Sequence, residues 1–217
     1  MKERPIIYST EMIKAILNDR KTQTRRVALM RHLYLRIWTQ ATHWEMSEWS
    51  KAPLKELPLG YPIEDVLDCC PYGIPGDRLW VKETFQVATL VGDDADEWWE
   101  VEHERLPKEK PNLDYWRIHY KADGRNEVET WRPSIFMPRW ASRISLEIVN
   151  VRVERVQEIS EIDCEIELGQ APYSLGDNAY VMFKELWNSI NAKRGFGWDV
   201  NPWVWVIEFK KLQRVME

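Results

Sequence analysis

Apolar positions along the chain change their period several times, and each change marks an element. Met12, Ile13, Ile16 and Leu17 recur at helical spacing behind Ser9 and Thr10, either of which can cap a helix. Glu11 suits the positive first turn of that helix, and Asn18-Asp19 ends it, since both residue types tolerate the left-handed conformation. Residues 4–8, Arg-Pro-Ile-Ile-Tyr, read as a short edge strand, because Pro5 lacks the N–H that an inner ladder requires. The turn at Gly73-Ile74-Pro75-Gly76-Asp77 feeds a strand over 78–85, and residues 115–122 form another before Asp123-Gly124. Ile144, Leu146 and Ile148 alternate, then Val149, Val151 and Val153 continue in the opposite parity. A strand with that pattern needs a bulge or a tight bend near Ile148-Val149.

Two helices follow. Ser160-Glu161-Ile162-Asp163 fits a capping box and predicts a helix over 161–168 that Gly169 stops. Asp177 is placed to cap the next, whose stripe is Tyr180, Phe183, Leu186, Trp187 and Ile190, with Lys193 and Arg194 in its last turn and Gly195 as stop. Residues 203–209 close the series as a strongly β-prone strand. Between these elements lie stretches without a period. Residues 36–60 scatter Trp38, Trp44 and Trp49 among polar residues, an insertion with some helix. Residues 92–114 are acidic and spotted with proline, a loop or a mobile insertion. Pro133 and Pro138 forbid regular structure across the Arg- and Trp-dense residues 131–143. The expected fold is therefore α+β: one domain built on a small β-barrel with flanking short helices, and insertions at about 27–70 and 86–130.

Composition narrows the function class. The chain has 217 residues, 44% hydrophobic, and a net charge of −5, so any nucleic-acid surface must be a local patch. Thirteen tryptophans supply either core or base-stacking surface, and the count does not choose between them. Cys69, Cys70 and Cys164 are an odd number without a CxxC pair, which points to free thiols and a cytoplasmic location. The first residues lack an apolar leader core, and no apolar run approaches the length of a membrane span. His32, His43, His103 and His119 stand at no ligand spacing, and Asp93 to Asp96 lack the pattern of a calcium loop. No metal or other cofactor is expected.

The chemistry concentrates in Arg20-Lys21-Thr22-Gln23-Thr24-Arg25-Arg26, four cations and two threonines placed just where the first helix stops. A helix end delivers such a run to a fixed place, where it makes an anion-binding or catalytic corner; the alternative is a solvated basic loop. A threonine hydroxyl becomes a nucleophile once a base takes its proton, and a lysine serves as that base when burial or neighbouring cations lower its pKa. In a regular strand Lys21 and Thr24 would point to opposite faces, so sharing a site requires a backbone bend between them. Arg132, Arg139, Trp140 and Arg143 offer phosphate contact and base stacking, or alternatively a lid held by cation–π packing.

Several of these motifs together resemble the ASCH domain family, relatives of the RNA-binding PUA domain. The resemblance rests on the Arg20–Arg25 run after a short helix, on Pro75-Gly76-Asp77-Arg78-Leu79-Trp80-Val81, on Ile159-Ser160-Glu161-Ile162-Asp163 and on Trp205-Val206-Ile207-Glu208-Phe209. Residues 131–143 and Asn201-Pro202-Trp203-Val204 are similar to the phage and prophage branch, some of whose members are named as morphogenetic proteins. The resemblance implies a PUA-like barrel with a cleft lined by the Lys21–Thr24 run. It implies binding of RNA or a modified nucleoside, with Arg20, Arg25 and Arg26 beside the ligand. Some small ASCH proteins are amidohydrolases of N4-acetylcytidine and others are described as ribonucleases. By that likeness the catalytic set is Lys21, Thr24 and Glu167, with Glu165 as the alternative carboxylate because Leu168 separates Glu167 from Gly169. A role in phage assembly is the remaining implication.

Overall fold

The computed structural model describes residues 1–29, 67–90, 98–101, 106–124, 128–171, 174–175 and 178–213. The Trp38 to Trp49 insertion, His32, His43, His103, the run Asp93 to Asp96 and the cap expected at Asp177 lie outside those residues. Among the described residues, eight strands and three helices follow in the order β1 (Glu3–Ile7), α1 (Thr10–Leu17), β2 (Gln23–Val27), β3 (Arg78–Lys82), β4 (Phe85–Leu90), β5 (Trp98–Glu100), β6 (Trp116–Tyr120), β7 (Ser145–Arg155), α2 (Glu161–Leu168), α3 (Asn178–Asn191) and β8 (Trp203–Lys211). A five-stranded sheet runs β1-β3-β7-β8-β2 and a three-stranded sheet runs β5-β4-β6. The architecture is mixed α+β. No helix among the described residues is long and apolar enough to cross a membrane.

The long strand β8 shows why the larger sheet forms. It lies between β7 and β2, and both of its faces are apolar. Trp205, Ile207 and Phe209 enter a core with Ile13 and Ile16 of α1 and Leu79, Val81, Leu146 and Ile148 of the neighbouring strands. Val204 and Val206 enter the opposite core with Phe183 and Trp187 of α3 and Cys164 of α2. Period-two alternation thus feeds a core on each side. The parity change in β7 is a bulge at Val149, where the register to β8 slips between Ile148 and Asn150. The extra residue returns Val151 to the core that Leu146 and Ile148 already fill.

The expected closed barrel is not what the sheet builds. Among the described residues β1 and β2 remain its two edges and form no ladder with each other. The sheet nevertheless curls until those edges meet through a side chain. Arg26 on β2 donates from Nη2 to the Ile7 carbonyl at the end of β1, at 2.7 Å, and its guanidinium lies 5.2 Å from the centre of the Tyr8 ring. A helix joins the two edge strands in sequence rather than a hairpin, and the gap between them holds a cavity instead of ladder bonds.

Two further expectations change. The strand over 78–85 breaks at Glu83-Thr84 into β3 and β4, which serve different sheets. Glu83 is buried there and held by two bonds from Arg143, at 2.9 and 3.0 Å. Within residues 92–114, expected as loop, β5 pairs with β4 from Ala88↔Glu100 to Leu90↔Trp98. Glu100 secures it by accepting from Gln86, the Glu129 N–H and Thr130. No period-two signal marks so short a strand; the free edge of β4 creates it.

Candidate functional site

Ser9 caps α1, and the helix ends with Asp19 in the left-handed region, φ +56°. The Arg20 and Lys21 N–H groups then turn back to the Ala15 carbonyl, at 2.9 and 3.3 Å. Lys21 therefore follows a tight C-terminal turn and precedes β2, outside the strand alternation that would set it on the face opposite Thr24. Lys21 and Thr24 line one cavity of about 330 Å³ together with Tyr8, Arg26 and Glu167. Phe183, Leu186, Trp187 and Ile190 of α3 line it too, with Asn191 and Arg194 beyond them.

Glu167 reaches the cavity from the last turn of α2, whose end meets Ala15 of α1. Gly169 ends α2 with φ +71°, and a Cβ there would stand 2.5 Å from the Cβ of Ala15. Only glycine permits both the conformation and the approach. Lys21 Nζ donates to Glu167 Oε2 at 2.7 Å and to the Glu167 carbonyl at 2.9 Å. Glu165 is equally buried but turns away and accepts from the Leu175 N–H at 2.7 Å. Two residues apart on a helix, the two carboxylates face different sides, and the one beside Lys21 and Thr24 is Glu167.

Arg25, on the other face of β2, also lines the cavity. Its guanidinium bonds Glu154 at 2.8 Å, Asp163 at 2.8 Å and Glu167 at 3.3 Å. Arg152 extends the network to Asp163, Glu154 and Glu208. Arg25 and Lys21 are 5% and 4% exposed, so they present almost no charge to solvent. Of the four cations in the run, Arg20 is the exposed one. Burial pulls the Lys21 ammonium below its usual pKa, and the charge and hydrogen bond of Glu167 only partly oppose that. Burial would raise the Asp163 carboxyl, but the Arg25 hydrogen bond and the charges of Arg25 and Arg152 oppose it and it stays below the usual value.

The residues of 131–143 expected to contact nucleic acid lie outside the lining of this cavity. Arg132 is buried and donates to Gln86 at 2.7 Å. Arg143 is bound by Glu83 and Asp123 and lies 3.9 Å from the centre of the Tyr120 ring. Arg139 pairs with Glu3 at the surface, and the Trp140 indole donates to the Pro107 carbonyl. Arg139, Trp140 and Arg143 line a separate groove of about 790 Å³ with Arg78, Lys108 and Lys110. Lys108 and Lys110 are exposed there, and Glu109 is the single acidic residue of the lining.

Tyr8, Glu154 and the α3 wall are site components that sequence reasoning missed. Asp163 it credits only with capping, whereas the side chain serves Arg25 and Arg152. The alternation of β2 offered one signal: Gln23, Arg25 and Val27 share a face, so Arg25 had to meet a core with a partner. The chain matches no known family model, no curated protein and no solved structure.

Proposed function

We propose that the cavity binds a nucleoside and that the chain is a PUA-like binding protein of the ASCH type. One observation carries this reading: a partly open cavity of about 330 Å³ is lined by the buried hydrogen-bonding residues Tyr8, Lys21, Thr24 and Glu167 and by Phe183, Leu186, Trp187 and Ile190 of α3. A nucleobase is planar, apolar on its faces and polar on its edge, and such a cleft suits it. Glu154, Asp163 and Glu167 neutralise Lys21 and Arg25, which favours a compact ligand over a phosphate chain at this place. The strand-contacting role belongs with the cationic groove at Arg78, Lys108 and Lys110. Calorimetric titration of the full chain with cytidine, uridine, adenosine, inosine and N4-acetylcytidine tests the reading. Saturable binding that Trp187→Ala weakens supports it; absence of binding to every nucleoside overturns it.

A second reading, hydrolysis of an amide on the nucleoside, is favoured by the shared cavity of Thr24 and a lysine whose burial lowers its pKa. In this chemistry neutral Lys21 takes the Thr24 proton and Oγ1 attacks the acyl carbon. The amine leaves with the proton from Lys21, and water then cleaves the threonyl ester to release the carboxylic acid. Glu167 holds Lys21 in position. Thr24→Ala, Lys21→Ala and the double variant should lose N4-acetylcytidine turnover to a similar extent, because residues acting as one unit are not additive. Thr24→Ser should retain some rate, and Lys21→Arg none, since a guanidinium does not deprotonate near neutral pH. The rate should climb with pH through the depressed lysine value. Normal turnover by Thr24→Ala would exclude this chemistry.

A further inference from the structure

Two residues that line the cavity each hold a buried polar atom without a hydrogen bond: the Tyr8 hydroxyl and Arg26 Nε. Tyr8 is 5% exposed, and Thr24 and Arg26 are its polar neighbours, yet neither meets the hydroxyl with hydrogen-bond geometry. Arg26 is anchored by its Nη2 bond to Ile7 and stacked on the Tyr8 ring, so its Nε–H has a fixed direction. Among the described residues no carboxylate pairs with Arg26, in contrast to Arg25 beside it. Buried polar groups in folded proteins almost always have partners, and an orphan costs about 1–3 kcal/mol. Two orphans side by side at the wall of one cavity mark a place that a ligand completes.

We infer that Tyr8 and Arg26 are the specificity pair of this cavity, donating together to one acceptor oxygen of the ligand. The inference rests on the nucleoside-binding reading and narrows it. Arg26 Nε–H can only donate. Burial keeps the Tyr8 phenol neutral across the physiological range, so its O–H is a donor too. The ligand therefore presents a carbonyl oxygen to this pair, and an amino group in the same place would set donor against donor. A site built to hydrogen-bond one group rejects the analogue that lacks it far more strongly than an apolar pocket does. Carbonyl-edged nucleosides are the class selected.

The test uses the full chain, titrated with inosine and adenosine, which differ at one position as carbonyl and amino, and with uridine against cytidine. Wild type should favour the carbonyl member of each pair by about tenfold or more. Tyr8→Phe should lower affinity for inosine and uridine by about tenfold, leave adenosine and cytidine unchanged, and so erase the preference. Its thermal midpoint should stay level or rise, because the hydroxyl it removes has no partner in the folded chain. A tyrosine with a structural hydrogen bond would show the opposite, a fall in midpoint. Equal affinities within each pair, or a Tyr8→Phe variant with undiminished preference, overturns the inference while leaving nucleoside binding standing. No binding of any of the four overturns both.

Discussion

The basic run before β2 and the arginine-rich stretch at 131–143 carry similar residues and meet opposite fates. In the first, Lys21 and Arg25 are sealed under α2 and matched by Glu154, Asp163 and Glu167. In the second, Arg143 is likewise matched and Arg139 pairs with Glu3 at the surface, but Lys108 and Lys110 are exposed on a groove with one acidic lining residue. Cation density in a sequence is therefore a poor guide to electrostatic potential. What decides is whether the fold brings carboxylates to the same depth. A buried matched network orders a cavity and is blind to salt; an exposed unmatched groove attracts polyanions and is screened by it.

The contrast can be broken most forcefully at Arg25. Arg25→Ala should cost about 3–5 kcal/mol in urea denaturation, because Asp163, Glu154 and Glu167 then lie buried or half-buried without their shared cation. A loss below about 1 kcal/mol would mean that the network is a surface feature after all.

Salt dependence sharpens the other half of the comparison. If single-stranded RNA binds the groove, Lys108→Ala with Lys110→Ala should reduce the slope of log affinity against log salt by about 1.4, near 0.7 for each phosphate no longer neutralised. Arg26→Ala should leave that slope unchanged. The reverse pattern would return the phosphate-reading role to the basic run.

The smallest effect is in acid. The Asp163 carboxyl is held below its usual pKa in the folded chain, so its contribution to stability is present above the unfolded carboxylate value and disappears as pH falls through the depressed folded one. Asp163→Asn should flatten the stability–pH curve in that window and cost stability at neutral pH, where the network is intact. A curve as steep as wild type would remove Asp163 from the set of acid-sensitive groups.

Much of this was legible in the residues alone. The span of α2, the left-handed Asp19, the edge position of β1 and the bulge at Val149 all follow from interactions within a few residues, where propensity and parity act directly. The Lys21–Thr24 run also marked its stretch as chemical, because the helix stop at Asn18-Asp19 that precedes it was visible. What only the tertiary structure decided is which distant groups those residues meet. Lys21 and Glu167 are 146 positions apart, and their pairing depends on Gly169 letting α2 settle against Ala15. Tyr8 gives no local sign of a site; it becomes one because a curled sheet brings its two edges together without closing. Local rules set the conformation of a segment. The neutralisation of a charge, the orphaning of a hydroxyl and the shape of a cavity depend on pairings that no window along the chain contains.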